Sequence, residues 1–297
     1  MQKYLIEGMI GIGDNIMQRP FIKALCLSGC HVWVKTATPE FYTDLPNIHF
    51  VKSETSLRTQ KKNEQLSTVQ FENPPCGSFI RKRVFYGNAE MQRGSVFSAG
   101  RLAFGCEPAQ LDMPSFNLPN IGIPQGAKVA LIRPTTERKE WHNAARGPLN
   151  YHVHEAAVLL AEKGYLCISV ADIEAGQEWI PDMEPFAHIK LHGGELSITQ
   201  LMALVERADV VVTGSGLISQ AAFAYKKPTV FLGGGCGGSN HHSKITDANI
   251  MDLSRCLFVY PDHYCTCQYM KHDCNKKISG LRDKINGWLN EQTHQAS

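Results

Sequence analysis

Apolar, strand-like runs alternate with helix-like segments through the second half of the chain, and this alternation constrains the fold more than any other feature. In order, the predicted segments are strand 127–133, helix 152–163, strand 165–171, a short strand 189–191, helix 197–207, strand 209–213, helix 217–225 and strand 228–232. Strands that alternate with helices at this spacing form βαβ units. The sequence therefore predicts an α/β fold with a parallel, doubly wound sheet.

The first half begins with the same strand-to-helix pattern. Residues 3–7 predict a buried strand, and a glycine-rich turn over 8–14 leads into apolar positions at helical spacing. Pro20 within that helix predicts a kink or a later start, because proline removes a backbone hydrogen bond. Further strands are predicted over 31–34 and 48–51, whereas 53–120 is expected to be rich in loops and partly helical.

A stretch rich in proline and glycine over 118–126 predicts a linker. We therefore expect two domains, over 1–122 and 123–297. A final helix is predicted over 278–290, placed so that it can pack back on the first domain.

Composition and charge exclude several classes of protein. The hydrophobic fraction of 43% over 297 residues is typical of a globular chain, and a net charge of +2 does not suit a general binder of polyanions. The apolar stretch at the N-terminus is interrupted by Glu7 and then by glycines, so no signal peptide or membrane span is predicted. We expect a cytoplasmic protein whose ten cysteines are reduced.

Glycines, hydroxyls and cations follow several of the predicted strands, at positions where parallel sheets bind ligands. Such turns suit an anion, because backbone N–H groups point out of a helix N-terminus. The turn at 11–14 lacks the third glycine of a dinucleotide fingerprint, which disfavours an oxidoreductase. The segments are 11–14, 133–141, 213–216 and 233–242.

The residue types near 265 include ligands that zinc prefers, but their spacing is unusual for a zinc site. Cys265 and Cys267 are separated by one residue, whereas structural zinc sites usually have a gap of about two to four residues. Two alternatives therefore stay open. Cys265 and Cys267 form a structural zinc site with His272 and Cys274, or these cysteines are reduced thiols in a packed turn. No metal is predicted at the active site.

Four segments, in order, resemble one family of enzymes. Residues 11–25 are similar to S-I-G-D-x-x-x-x-x-P-x-x-x-A-L, and 208–222 echo an apolar strand followed by D-(S/T)-G-x-x-H-x-A-A-A. Thr135-Thr136 with Lys139 and Trp141 is similar to a T-T and K-x-W element, and 274–278 resemble a late cysteine-containing segment. Together they resemble the heptosyltransferase-like family 9 glycosyltransferases.

The resemblance implies a GT-B fold, in which two Rossmann-like doubly wound domains face a central cleft. It also implies a metal-independent, inverting transfer of a heptose or hexose from a nucleotide diphosphate sugar to an acceptor hydroxyl, without a cofactor. The acceptor would be lipopolysaccharide or another surface glycan, including a lipid-linked glycan. The protein would lie in the cytoplasm or at the inner face of the membrane.

The resemblance also implies roles for particular residues. Asp14, beside the Gly13 backbone, matches the catalytic aspartate that acts as a base. The nucleobase would pack on Leu196, the ribose would bind Glu174, and acceptor phosphates would meet the cationic run of Arg81, Lys82 and Arg83. The diphosphate would be held by Arg133, Thr135, Thr136 and Lys139. The rest of the donor-binding set would be Gly13, Thr213, Gly214, Ser215 and Gly216.

Two departures from the family pattern keep other functions open. Gly214 stands where the family has aspartate, and Ser219 stands where it has histidine. These changes fit a protein that binds nucleotide sugars without catalysis. A glycosyltransferase that acts on a modified DNA base is a further alternative, because a nucleic acid would use the same local positive charge.

Overall fold

A computed structural model describes residues 1–140, 145–235, 240–265 and 274–295. The chain divides into a first unit, Met1–Ser115 with Ser243–Met251, and a second unit, Phe116–His242 with Asp252–Ser297. The first unit ends at Ser115 rather than at Gly122, and it includes a segment that returns from the second half of the sequence. In that segment the Ile250 carbonyl accepts a hydrogen bond from the Leu111 N–H at 3.0 Å. The division of the chain into two units therefore does not follow the order of the sequence.

The first unit is built on a four-stranded parallel sheet in the order β3-β2-β1-β4. The sequence predictions are confirmed for three strands, β1 at Lys3–Glu7, β2 at His31–Thr36 and β3 at Ile48–Lys52. The fourth strand, β4 at Ile80–Arg83, was not predicted. Strand β4 lies at one edge of the sheet, and most of its side chains are exposed. Its sequence, Ile-Arg-Lys-Arg, therefore contains no apolar run.

The helices of the first unit are α1 at Ile12–Leu27, α2 at Arg58–Leu66, α3 at Asn88–Arg93 and α4 at Val96–Phe104, with a 3₁₀ turn at Pro39–Tyr42. Helix α1 begins eight residues before Pro20, so a later start is wrong. Phe21 stacks on Phe104 with ring centroids 4.9 Å apart. A Cβ at Gly100 would lie 2.5 Å from the Phe21 ring, so glycine is needed where α4 approaches α1.

Arg19 joins α1 to two other parts of the first unit. Its side chain is completely buried. It donates to both carboxylate oxygens of Asp44, at 2.8 and 2.6 Å, and to the Phe41 carbonyl at 2.6 Å. It also donates to Asp112 at 3.1 Å. Burial raises the pKa of the Asp44 carboxyl, but the bonds from Arg19 outweigh it and the net pKa is lowered.

We expect Arg19→Met to lower the free energy of unfolding of the first unit by about 3 kcal/mol, because it leaves the Asp44 carboxylate without its cation and the buried Phe41 carbonyl without its donor. A urea titration measures this. Lys35→Met is the matched control, since it removes a cation whose partner Glu54 is 88% exposed, and we expect it to cost about 1 kcal/mol or less. Equal losses in the two variants would contradict a special role for Arg19.

The second unit is built on a six-stranded parallel sheet in the order β12-β11-β10-β5-β7-β9. Its strands are β5 at Val129–Ile132, β7 at Leu166–Val170, β9 at Ile189–Leu191, β10 at Val210–Thr213, β11 at Thr229–Leu232 and β12 at Cys256–Val259. A separate antiparallel pair consists of β6 at Glu137–Arg138 and β8 at Glu178–Trp179. The alternating pattern predicted β5, β7, β9, β10 and β11, and it missed β6, β8 and β12.

The helices of the second unit are α5 at Asn150–Glu162, α6 at Ile198–Arg207, α7 at Leu217–Ala224 and α9 at Leu281–Gln295. The short helix α8 at His242–Ile245 begins at the last residue of Phe116–His242 and continues into Ser243–Met251 of the first unit. The last helix, α9, packs against α5 of its own unit. Its residues Ile285 and Trp288 share a buried cluster with Val153 and Leu160 of α5. Ile285 and Trp288 of α9 are therefore buried within the second unit, and packing of this helix on the first domain stays a prediction.

Candidate functional site

The carboxyl end of the second sheet brings two of the predicted turns side by side. Strands β5 and β10 are neighbours in the sheet, and the Arg133 N–H donates to the Val212 carbonyl at 2.9 Å. The turn that follows β5, with Arg133, Thr135 and Thr136, is thus adjacent to the turn that follows β10. Parallel strands require this arrangement, because all of their carboxyl ends lie at one edge.

A buried carboxylate that the sequence did not indicate lies among these residues. The Glu178 side chain is 1% exposed, and its carboxylate oxygens are 3.3 Å from Arg133 Nη2 and 2.9 Å from Arg138 Nε. The Thr136 hydroxyl donates to the same carboxylate at 2.8 Å. Burial lowers the pKa of Arg133, and the charge of Glu178 opposes that effect. Two cations and a hydroxyl are therefore held together around one anion.

Glu178 pairs with Arg133, whereas the resemblance assigns the ribose to Glu174, a neighbouring carboxylate. Glu174 is exposed, and its backbone N–H donates to the Glu178 carbonyl at 3.1 Å. No sequence motif singled out Glu178, because it lies in the two-residue strand β8, which is too short to give a periodic pattern. Lys139 has an exposed side chain, and its backbone N–H donates to the Gln177 carbonyl at 2.8 Å. Trp141 lies outside the described residues.

Thr135 is bonded to the chain segment that precedes α5. Its hydroxyl donates to the Pro148 carbonyl at 2.7 Å, and its N–H donates to Asn150 Oδ1 at 2.8 Å. A Cβ at Gly147 would lie 2.3 Å from Thr135 Cγ2. In this arrangement Thr135 fixes the path of the chain into α5, whereas Thr136 points to Glu178.

The turn that follows β10 has a hydrogen-bonded structure of its own. The Gly216 N–H donates to Ser219 Oγ at 3.1 Å, and the Ser219 hydroxyl donates to the Gly216 carbonyl at 2.8 Å. Ser219 is completely buried and closes the first turn of α7. The Thr213 hydroxyl donates to the Gly214 carbonyl at 3.0 Å, and Ser215, which follows Gly214, is partly buried. Ser219, which stands where the family has histidine, is thus hydrogen-bonded to the Gly216 backbone.

Two glycines at this edge contact the segment 146–148. A Cβ at Gly214 would lie 3.0 Å from Pro148 Cδ and 3.4 Å from the Leu232 carbonyl, so the family's aspartate would crowd the site. A Cβ at Gly234 would lie 2.0 Å from the Arg146 carbonyl oxygen. From the late cysteine-containing segment, Lys276 donates to the Gly147 carbonyl at 2.7 Å. Close packing of the chain accounts for glycine at 214 and 234.

Other predicted residues border this edge. Leu196 is partly buried and precedes Ser197, the N-cap of α6. The His242 ring stacks on Phe258, with centroids 4.0 Å apart, and the His242 N–H donates to the Tyr260 hydroxyl at 2.7 Å. Burial lowers the pKa of His242 to about 4, so this ring is neutral at pH 7. Residues 236–239 of the predicted glycine loop lie outside the described residues.

In the first unit, Asp14 lies in the first turn of α1. The N-cap of this helix is Gly11, so Asp14 is not the cap. The Tyr86 hydroxyl donates to Asp14 Oδ1 at 2.5 Å. A Cβ at Gly11 would lie 2.2 Å from Asp14 Oδ2, so the carboxylate occupies space that only glycine leaves open. Gly13 precedes Asp14 in the same turn.

The cationic run on β4 is divided between the two faces of the sheet. Arg83 Nε lies 3.4 Å and Arg81 Nε 3.8 Å from Glu7 Oε2, on one face. Lys82 points to the other face, where its Nζ would lie 3.4 Å from a Cβ at Gly105. Because successive side chains of a strand alternate, the three cations do not form one surface patch.

In residues 1–140, 145–235, 240–265 and 274–295, no group of three or more His, Cys, Asp and Glu side chains is arranged to hold a metal ion. Cys265 and Cys274 are described, whereas Cys267 and His272 lie outside the described residues. A structural zinc site at these four residues stays a prediction.

We expect Gly234→Ala to destabilise the second unit by about 1–3 kcal/mol, because its methyl group meets a backbone oxygen that cannot rotate away. Gly287→Ala in α9 is the matched control, since a Cβ there meets nothing within 4 Å and alanine favours helix. Thermal unfolding should give a lower Tm for the first variant and an equal or higher Tm for the second. A neutral Gly234→Ala would contradict the close approach of segment 146–148.

The whole chain is similar to solved glycosyltransferase structures. It matches the iron-containing dodecameric glycosyltransferase TibC from enterotoxigenic E. coli with a TM-score of 0.64 and 13% identity, covering 99% of this chain and 76% of that one. It matches E. coli ADP-heptose LPS heptosyltransferase II with a TM-score of 0.58 and 12% identity, covering 99% and 100%. It matches a family 9 glycosyl transferase from Veillonella parvula with a TM-score of 0.56 and 11% identity, covering 87% and 85%.

By sequence, no protein-family model and no curated protein matches this chain. The structural likenesses establish the fold, which is the heptosyltransferase-like GT-B fold of α/β units with parallel sheets. The fold that the motif resemblance implied is thereby confirmed.

Proposed function

We propose that this protein is an inverting glycosyltransferase, which moves a heptose or hexose from a nucleotide diphosphate sugar to an acceptor hydroxyl. The observation that carries the proposal is the Asp14 carboxylate at the start of α1, at the position of the family motif and bonded to the Tyr86 hydroxyl at 2.5 Å. The likeness to two heptosyltransferase-type structures over 99% of the chain supports it. TibC has also been solved in complex with ADP-D-β-D-heptose.

The reaction needs a base and a site for a leaving group. Asp14 takes the proton of the acceptor hydroxyl while its oxygen attacks the anomeric carbon of the donor sugar. The bond from that carbon to the diphosphate oxygen breaks as the new bond forms, so the configuration inverts. The nucleoside diphosphate leaves with the bonding electron pair, and fixed positive charge stabilises it.

The cations around Glu178 supply that positive charge in the proposal. Arg133 and Arg138 bind Glu178, and the Thr136 hydroxyl adds a donor beside them. Arginine binds phosphate oxygens through charge-assisted hydrogen bonds. Lys139 follows Arg138 and has an exposed side chain, which suits a contact with the diphosphate. Glu178 would keep the arginines in place when no donor is bound.

The acceptor in this proposal is a lipopolysaccharide core or another surface glycan, reached from the cytoplasm or from the inner membrane face. None of the helices within the described residues is long and apolar enough to cross a bilayer. We also propose that the transfer needs neither a metal ion nor a cofactor, although TibC is an iron-containing enzyme. Assays of protein treated with a chelator test this, and loss of turnover that added metal restores would overturn it.

Binding of nucleotide sugars without catalysis is the second candidate function. It is favoured by Ser219, which closes α7 in place of the family's histidine, and by the close contact between Gly214 and Pro148, which would have to shift to admit an aspartate. A thermal-shift screen of nucleotide sugars identifies a donor under either function, because a ligand that binds the native state raises its Tm. Only the transferase then turns the donor over.

We expect Asp14→Asn to lower kcat by about 10³-fold while the donor Kd stays unchanged, because the amide cannot accept the proton. Calorimetry gives the Kd, and release of nucleoside diphosphate gives kcat. Glu107→Gln is the control, since it removes a carboxylate of the same unit that is 80% exposed, and we expect it to keep full activity. Full activity in Asp14→Asn would show that Asp14 is not the base.

Experiments on the cations of β4 distinguish the two classes of acceptor, a phosphorylated glycan and DNA. Replacing Arg81 and Arg83 by Gln should weaken binding of a phosphorylated glycan modestly, since Glu7 already neutralises part of their charge. Binding of a DNA acceptor should instead fall steeply with added salt, because a duplex releases condensed counterions. A titration of each acceptor at several salt concentrations distinguishes them, and a steep slope for DNA would favour the DNA-modifying alternative.

A further inference from the structure

We propose that Tyr86 is a positioning residue for Asp14, whose hydroxyl sets the orientation and the acidity of the Asp14 carboxyl. The proposal rests on the proposed function for its role in transfer, because that function makes Asp14 the base. Nothing in the sequence links these side chains, which are 72 residues apart along the chain. The structure brings them together at the carboxyl edge of the first sheet.

Both oxygens of the Asp14 carboxylate have defined surroundings. Oδ1 accepts the hydrogen bond from Tyr86 at 2.5 Å, and Oδ2 lies where a side chain at Gly11 would begin. Rotation of the carboxylate about its Cβ–Cγ bond would break the bond to Tyr86. The hydrogen bond therefore selects one orientation of the group that is to take the acceptor proton.

The backbone on both sides of Tyr86 is fixed. The N–H of Val84 donates to the Glu7 carbonyl at 3.0 Å and continues the pairing of β4 with β1. The N–H of Gly87 donates to Glu90 Oε2 at 2.8 Å and begins α3. Because Tyr86 lies between these two anchors, its hydroxyl is presented to Asp14 by regular structure rather than by an unsupported loop.

The position of Asp14 at the start of α1 favours its ionised form. The carboxylate lies in the first turn of α1, where the helix dipole stabilises negative charge. Burial, together with the negative charge of Asp14, raises the pKa of Tyr86 well above its ordinary value, so the phenol stays protonated and donates. Tyr42 faces Asp14 from the 3₁₀ turn, and its hydroxyl donates to the Asn15 carbonyl at 2.8 Å. Both phenols are neutral at pH 7.

Removal of the Tyr86 hydroxyl should raise the pKa of Asp14, because a hydrogen bond to the charged form favours that form. Asp14 acts as a base only when it is deprotonated, so activity falls as the pH drops through this pKa. The acid limb of the kcat/KM profile should therefore move to higher pH in Tyr86→Phe, by about one unit. We expect kcat at the pH optimum to fall about tenfold, since the carboxylate loses its fixed orientation, and the donor KM to stay unchanged.

The control is Tyr42→Phe, which removes a hydroxyl bonded to the next residue of the same helix. A hydroxyl that only stabilises the fold should lower the Tm without moving the acid limb, and we expect that result for Tyr42→Phe. Tyr86→Phe should move the limb whether or not its Tm changes. An unmoved limb in Tyr86→Phe, or an equal shift in both variants, would overturn the proposal.

A second measurement needs no turnover. In protein labelled with ¹³C at the aspartate carboxyl carbons, the Asp14 resonance is identified by its loss in Asp14→Asn, and its titration gives the pKa directly. We expect a higher pKa in Tyr86→Phe than in the native protein and no change in Tyr42→Phe. An unchanged pKa in Tyr86→Phe would overturn the proposal even if the enzyme is active. Full activity of Asp14→Asn would instead reject the proposed base and leave this measurement valid.

Discussion

Every strand of the two main sheets runs parallel to its neighbours, and the candidate sites depend on that constraint. A parallel sheet collects the turns that follow its strands at one edge, where glycines and helix N-termini meet. In the second unit this edge holds the Glu178 cluster and the turn at Thr213. In the first unit it holds Asp14, which follows β1, and Tyr86, which follows β4. The sites are thus consequences of strand direction.

Much of the fold could be predicted from the sequence, because buried parallel strands are continuous apolar runs that stand out between polar helices. Strand β5 is buried along its whole length and was predicted, whereas the exposed edge strand β4 has no such signal. The two-residue strand β8 is too short to give a period, so Glu178 was missed. Tyr86 was missed because its partner, Asp14, is distant in the sequence, and only the register of β4 on β1 brings them together.

Two buried ions of this protein are each surrounded by partners of opposite charge. Glu178 is buried among cations, and Arg19 is buried among carboxylates, so each ion has partners that offset the cost of its desolvation. In the proposed function the arginines around Glu178 bind a diphosphate, because a guanidinium donates charge-assisted hydrogen bonds to phosphate oxygens as it does to a carboxylate. Departures from the family pattern follow the packing, since Gly214 lies against Pro148 and Ser219 completes a helix turn.

The proposed transfer breaks the bond between a sugar and a nucleoside diphosphate. ³¹P NMR of nucleotide diphosphate sugars in the presence of the protein, beginning with ADP-heptose, follows that bond directly. We expect the paired resonances of at least one donor to be replaced by those of the nucleoside diphosphate, slowly without an acceptor and faster with a glycan acceptor. A donor that binds, yet whose resonances stay unchanged with and without acceptors, would contradict the proposed transfer.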